Sequence, residues 1–494
     1  MEKYKNLIGG KLVEPLSGKY FENINPSDNT DVIGLFPDSN SDDINEAVKA
    51  ARLAFALWRD MPPPKRGELI YKAAQLLLNK QERLAKVIVR EMGKTFAESM
   101  GDIQSSADVA FFSAGEGRRM YGQTTFSALN RRWALTKRMP IGVCGLITAW
   151  NAPMAIITWK LFPALICGNT VVLKPSEDVP LTAHLLGEIL EEAGFPSGVV
   201  NIVYGSGAEA AGALVKHPDV KLISFTGSTK VGKIISEECG RQMKRCSLEL
   251  GGKNGLIVMD DADLDSAAKA AASGAFSCAG QRCASTSRVF VHKDIYEVFL
   301  HKLIEETKKM KVGLGDDPET KVCPIINRRQ FDKIMDYIQE AKSAGARLLF
   351  GGRALNEGRL AGGNFIEPTI FTDVALDSKL AQEEIFGPVL AVFKIASFRE
   401  AIDGVNSVGY GLTSSIFTTN VNLALLALDE IEAGCCYVNA PTFGSEPHMP
   451  FGGIKNSGNG SREPGLQSLD VFSEWKTIYI DYSGASQNSQ YKMK

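Results

Sequence analysis

Two side chains stand out as candidates for chemistry. One is Cys283, in Gly280-Gln281-Arg282-Cys283-Ala284; the other is Glu249, in Leu248-Glu249-Leu250-Gly251-Gly252-Lys253-Asn254. A cysteine nucleophile needs access and thiolate character. Gly280 breaks a predicted helix just before Cys283, and the charge of the adjacent Arg282 favours thiolate. Most lone cysteines are buried and inert. Cys278, among apolar residues, reads as packing, and Cys435-Cys436 as a structural pair at a strand end. Glu249 is flanked by leucines, so it is either an outward-facing strand residue or a charge turned into a cleft. Desolvation there would raise its pKa towards the range useful to a general base.

Two glycine-rich loops invite a phosphate reading. Gly205-Ser206-Gly207 through Gly212 does not have the G-x-G-x-x-G spacing of a dinucleotide fingerprint. Gly227-Ser228-Thr229-Lys230-Val231-Gly232-Lys233 fits G-x-x-x-x-G-K, and the run 256–259 followed by Asp260-Asp261 resembles a P-loop's strand and acid. The next position is Ile234, however, where a magnesium-binding hydroxyl is required, so a P-loop nucleotidase is disfavoured. Both loops also read simply as tight strand-to-helix turns. The 5 histidines are scattered and none of the 9 cysteines forms C-x-x-C, so neither a metal site nor a disulfide framework is indicated.

These residues must be positioned by a large fold. The chain has 494 residues, enough for about three domains. Lys+Arg 55 against Asp+Glu 57 gives no basic field for nucleic acid or an anionic membrane. An apolar fraction of 44% and a charged fraction of 23% exclude a mostly disordered chain. No run reaches the ~18–20 apolar residues of a membrane span. The start, Met1-Glu2-Lys3-Tyr4-Lys5, has no apolar signal core, so a cytoplasmic protein is expected.

Residues 1–40 read as short extended pieces. Ser41 to Asp43 read as a helix N-cap and acidic first turn, and 65–116 as long amphipathic helices. Four strand-then-helix units follow: strands at 143–149, 171–173, 199–203 and 222–225, each before a helix. Strands apolar on both faces in this rhythm imply a parallel sheet with right-handed crossovers. Ligands then bind at the strands' carboxyl ends, near Trp150-Asn151, Lys174, Gly205 and Thr226-Gly227-Ser228. Strands at 256–259, 288–291, 347–350 and 389–393 imply a second α/β unit. The stretches 131–141 and 471–480 read as exposed strands.

Taken together, the chain resembles the NAD(P)-dependent aldehyde dehydrogenase superfamily. The resemblance runs in order over most of the chain: Trp150-Asn151-Ala152-Pro153, Gly168-Asn169-Thr170, Lys174-Pro175-Ser176-Glu177, Phe225 to Thr229, Leu248 to Asn254, Gly280 to Cys283, Glu383 to Pro388, and Pro450-Phe451-Gly452-Gly453 with Lys455. It implies an α/β fold: a Rossmann-type parallel-sheet cofactor domain, an α/β catalytic domain and a small β oligomerisation arm. The implied cofactor-binding domain spans 1–124 and 142–250, with 449–470 returning to it. The catalytic domain is 251–448, and the arm is 125–141 with 471–494.

The resemblance also implies oxidation of a small aldehyde to its acid. Cys283 is the implied nucleophile. The Asn151 amide and the Cys283 backbone N–H form the oxyanion site, and Glu249 activates water against the thioester. Lys160 and Glu474 are a proton relay or, equally, a structural ion pair. For NAD or NADP, Lys174 and Glu177 face the adenosine ribose, Ser228 the pyrophosphate, Glu384 the nicotinamide ribose, and Phe386 the ring. Thr148, Trp150, Ser176, Gly207, Gly227 and Leu250 complete the cofactor set. Glu177 favours the hydroxyls of NAD, Lys174 could neutralise the phosphate of NADP, and dual use is expected. The family assembles as dimers or tetramers through the arm.

Several positions depart from the family pattern. Ala149, Ala152 and Ser277 stand where proline or aromatic residues are frequent, implying a roomier, more polar entrance. The stretch Ser457-Gly458-Asn459-Gly460-Ser461-Arg462-Glu463 carries one residue more than S-G-x-G-R-E. With Thr286-Ser287-Arg288 and Trp475-Lys476-Thr477, it resembles a subgroup that includes 2-oxoglutarate-semialdehyde dehydrogenases. An acid-bearing or polyhydroxylated aldehyde is expected, with Arg282 or Arg288 as its anion anchor. A CoA-acylating enzyme is the alternative within the fold, and it needs no hydrolytic Glu249. A non-catalytic protein on an inherited fold would not need Cys283, Glu249 and Asn151 together.

Overall fold

The computed structural model describes residues 1–484, so 485–494 of the expected arm lie outside the described residues. The first sheet runs in the order 245–249, 220–226, 143–147, 170–174, 200–202, 6–8 and 11–13. The five strands from 143 onward pair in parallel; the N-terminal hairpin is added antiparallel. Strand alternation divides their side chains between two cores. Val143, Ile147 and Val172 pack with Ile44, Val48 and Leu214 on one face. Cys144, Leu146, Val171 and Leu173 pack with Leu161 and Phe162 on the other. Both faces are therefore dry, which is why these strands read as unbroken apolar runs.

The helix Ser41–Asp60 on the first face begins one residue earlier than the sequence suggested. Its cap is Asn40, whose side chain accepts from the Asp43 N–H while Asp43 answers at the Asn40 N–H. On the second face, Ala155–Ile166 packs beside the helices Pro63–Asn79 and Phe96–Glu116.

A second sheet is ordered 347–350, 369–372, 389–395, 286–292, 254–258, 413–417 and 435–438, parallel except at its 347–350 edge. The sequence did not disclose two of its strands, Thr369–Thr372 and Thr413–Phe417, and marked Cys435–Val438 here and Arg245–Glu249 in the first sheet only by single residues, Cys435-Cys436 and Glu249. The third sheet joins Ser473–Asp481 to Arg132–Pro140 and Thr124–Phe126. Among the described residues, no helix is long and apolar enough to cross a membrane.

Candidate active site

The carboxyl ends of the first sheet face the start of the second. There a narrow cleft of about 140 Å³ is walled by Trp150, Asn151, Gly227, Ser228, Leu250, Cys283, Glu384 and Phe386, among others. Cys283 reaches it on the loop between the helix Leu264–Phe276 and the strand Thr286–His292. That loop is fixed by buried bonds. The Asn254 amide donates to the carbonyls of Cys283 at 2.7 Å and Ser285 at 2.8 Å, and the Thr442 hydroxyl donates to Ala284 at 2.7 Å. Gly252 is required below it, because a Cβ there would meet the Cys283 carbonyl oxygen at 2.5 Å. Gly280 is required before it, since its φ is +68° and a Cβ would lie 2.2 Å from the Gly387 oxygen.

Cys283 is partly exposed, but the expected thiolate bias from Arg282 is not found. Withdrawal from water, then the Glu384 and Glu249 carboxyls, push its thiol up to about 12. Arg282 instead donates to Glu98 at 2.9 Å and lies over the Phe443 ring. Its charge is balanced by an acid nearly the whole N-terminal unit away in sequence.

Glu249 ends the strand Arg245–Glu249, buried, with both carboxyl oxygens lacking a hydrogen-bond partner among the described residues. Burial, followed by the nearby Glu463, raises its pKa well above the usual range, against the pull of Lys160 and Arg462. A neutral carboxyl tolerates this site; an ionised one without partners would be costly. The carboxyl is coupled to Cys283 on one side and to the Lys160–Glu463 pair on the other.

At the neighbouring strand ends, Lys174 Nζ donates to Glu177 at 2.9 Å. Against the penalty of burial, that ammonium holds the Glu177 carboxyl below its ordinary range. Thr148 and Ser176 lie beside them, and the buried Thr148 hydroxyl has no partner among the described residues. Ser228 caps the helix Thr229–Arg241, whose N-terminal amides suit a pyrophosphate. Trp150 and Phe386 meet edge to face at 5.3 Å. Glu384 accepts from the Gly252 N–H at 2.9 Å. Gly207 opens a separate short turn, Gly207–Ala211, after the strand Val200–Ile202, and is not on the cleft wall. An ammonium–carboxylate pair, an anion-binding helix end and an aromatic corner fit a dinucleotide cofactor.

Residues 13–478 match the aldehyde dehydrogenase family. The chain belongs to that family. It is 41% identical over 477 residues to the alpha-ketoglutaric semialdehyde dehydrogenase of Bacillus subtilis, covering 97% of this chain and 98% of that one. It is also 41% identical to human retinaldehyde dehydrogenase 3, over 96% of this chain and 92% of that one. The crystal structure of an NAD-dependent aldehyde dehydrogenase from Sinorhizobium meliloti superposes with a TM-score of 0.95 at 37% identity, covering 99% and 97% of the two chains. The protein is thus an NAD(P)-dependent oxidoreductase that converts aldehydes to acids.

Within this aldehyde dehydrogenase, the partner expected for Lys160 is corrected. Lys160 Nζ pairs with Glu463 at 2.6 Å and donates to Ser224 at 2.9 Å, all buried. Ser224 and Ser247 donate to the other Glu463 oxygen at 2.7 and 3.1 Å. Glu474 is on the exposed strand Ser473–Asp481 and accepts from Arg245 at 2.9 Å. The signal was present: Glu463 is the last residue of the Ser457-to-Glu463 segment. Within that segment Asn459 accepts from the Leu248 N–H and donates to the Cys246 carbonyl, covering the edge of the Glu249 strand.

The Arg288 anchor is also corrected. Its guanidinium is buried and donates to the carbonyls of Lys253, Gly404 and Val405, so it ties the second sheet together. Removing one partner of the buried pair leaves an uncompensated charge. Glu463→Ala is therefore expected to destabilise the fold by about 3–5 kcal/mol, and Glu474→Ala by less than about 1 kcal/mol. Urea unfolding midpoints check this; equal losses would contradict the assignment.

Proposed function

We propose that Cys283 carries the acyl group, that Asn151 and the Cys283 backbone N–H hold the oxyanion, and that Glu249 activates the hydrolytic water. The observation carrying this reading is one cleft that holds Cys283 and Asn151 beside Glu384 and Phe386, with Glu249 electrostatically coupled to the same sulfur. The bound nicotinamide supplies the hydride acceptor and, in its cationic form, favours the thiolate. Cys283 adds through sulfur to the aldehyde carbon, its proton passing to the nearby carboxyl or water. The oxyanion of the thiohemiacetal is held by Asn151, most strongly in the transition state. Loss of hydride leaves a thioester on Cys283. Glu249, once ionised, takes a proton from water, which attacks the thioester and frees the acid. Lys160 and Glu463 pass that proton outward.

For the cofactor, Lys174 and Glu177 bind the adenosine ribose with Thr148 and Ser176 alongside. Gly227 and Ser228 face the pyrophosphate, Glu384 the nicotinamide ribose, and Trp150, Leu250 and Phe386 enclose the ring. Gly207 flanks the adenine end. The Lys174–Glu177 pair suits either a ribose diol or a 2′-phosphate, so both NAD and NADP are accepted. Initial rates with each test this; a preference above a hundredfold would contradict it.

The substrate is an acid-bearing aldehyde of the semialdehyde class. Arg282 is partly exposed and precedes Cys283 in the chain; its guanidinium already bonds Glu98 and the Cys278 sulfur, and its five N–H donors allow a carboxylate to be taken as well. Ala152 and Ser277 leave room and polarity at the entrance. Arg282→Leu is expected to lower kcat/KM for semialdehydes about tenfold or more while sparing hexanal. A wild-type preference for hexanal, or equal loss on both substrates, would overturn this choice. Intact Glu249 favours water over CoA as acyl acceptor.

The three sheets are the cores of the cofactor, catalytic and oligomerisation units. A homodimer or homotetramer built through the arm is supported by exposed Trp133, Trp475, Tyr479 and Ile480 along its paired strands.

A further inference from the structure

Away from the cleft, two thiols stand together. Cys278 Sγ, Cys323 Sγ and a Glu98 oxygen all lie within 4.8 Å of one another. Both cysteines are buried and free, and they come from different segments: Cys278 from the turn leading to Cys283, Cys323 from the stretch before the helix Arg328–Ser343. Cys278 (φ 53°, ψ 27°) and Ala279 (φ 52°, ψ 34°) are left-handed, a conformation disfavoured for a residue with a Cβ. Surrounding bonds hold the turn there. The Gln281 amide donates to the carbonyls of Cys278 at 3.1 Å and Pro324 at 3.0 Å and reaches Cys323 Sγ at 3.9 Å. Its oxygen accepts from the Ile326 N–H at 3.0 Å. The loop bearing Cys283 is thus laced to residues 323–326, with the two thiols inside the lacing.

A cation fits this cluster poorly. One Glu98 oxygen accepts from Arg282, and the other accepts from the Thr95 N–H and hydroxyl. The Lys94 ammonium and the Arg282 guanidinium already act on Cys278. The same surroundings favour an anionic sulfur. A hydrogen bond from Cys323, then Lys94 and Arg282, hold the Cys278 thiol below its ordinary range against burial and Glu98. Cys323 is correspondingly held high, as a thiol. A cavity of about 1210 Å³, with Glu98, Ser277 and Thr320 in its wall, brings solvent to residues flanking both cysteines.

We infer that Cys278 and Cys323 form a reversible disulfide with a peroxide, and that this bond displaces the Cys283 loop and turns the enzyme off. The Cys278 thiolate attacks one peroxide oxygen, breaking the O–O bond to give a sulfenic acid and hydroxide. The Cys323 thiol then displaces the sulfenic hydroxyl. Overall, two thiols are oxidised to one S–S bond and hydrogen peroxide is reduced to two waters. A disulfide needs its sulfurs about 2.05 Å apart, so sulfurs now within 4.8 Å must close up, and Cys278 sits in the turn that leads to Cys283. Displacements of about 1 Å at a reacting atom cost orders of magnitude in rate. The disulfide is independent of the Cys283 reading; only its effect on activity rests on it.

The full-length enzyme is treated with hydrogen peroxide, blocked with N-ethylmaleimide and mapped by mass spectrometry without reduction. A linked peptide joining Cys278 to Cys323 is expected, both in the wild type and in Cys283→Ser, which separates this result from the role of Cys283. Activity of the wild type is expected to fall at least tenfold in step with the linkage and to return with dithiothreitol, while Cys323→Ser resists the same exposure. Absence of the linked peptide under conditions that oxidise other thiols would overturn the disulfide. Linkage with unchanged activity would overturn the switch.

Discussion

Cys283→Ala is expected to lower aldehyde oxidation by roughly 10⁵-fold or more, the scale seen when a covalent nucleophile is deleted. No substitute is available in the cleft. No other cysteine and no histidine lines it, and the neighbouring Ala284 and Ser285 are held away by Asn254 and Thr442. The substitution removes one sulfur and leaves the loop's bonds in place, since those bonds are made by backbone carbonyls. Cofactor binding, followed by quenching of tryptophan fluorescence, is expected to persist with little change. Activity above about a hundredth of wild type would show that the reaction does not pass through this residue.

Glu249→Gln is expected to separate the two halves of the reaction. Thioester formation does not need an ionised carboxylate at 249, so one equivalent of reduced cofactor should appear per site in a rapid burst. Hydrolysis does need it, and steady turnover should then fall by about 10²–10⁴-fold, the usual contribution of a general base. The pH profile follows from the same group. Burial and Glu463 raise its pKa, so the carboxyl is protonated at low pH. The hydrolytic limb of the wild type must therefore climb as pH rises through that raised value, and the climb must vanish in the glutamine variant. A steady-state rate equal to wild type would assign the base elsewhere.

Much of this site was legible because its residue types are chemically conspicuous where they stand. A glutamate between leucines at a strand end carries a local signal, whereas the helix before Cys283 ends at Phe276, ahead of the glycine expected to break it. The parallel sheet was legible because strands dry on both faces read as apolar runs. What escaped has a common cause: polar residues whose partners are distant in sequence. The strand Thr413–Phe417 starts Thr413-Ser414-Ser415, yet it is buried, because Ser414 donates to the Gly255 carbonyl and Ser415 to that of Ala440. Arg288 resembles a surface charge until three backbone carbonyls from other segments are seen around it. Arg282 resembles an activator of Cys283 until Glu98 is placed on it. The Lys160–Glu463 pair joins the first crossover helix to the C-terminal glycine-rich segment across 303 positions of sequence.

The most direct test of the acyl-carrier role is made on Glu249→Gln. The variant is mixed with cofactor and aldehyde, quenched in acid within the burst, and digested for mass spectrometry. The expected result is the acyl mass on the peptide carrying Cys283, at close to one per chain and removed by hydroxylamine. An unmodified Cys283 peptide, or the same mass on any other residue, would contradict it.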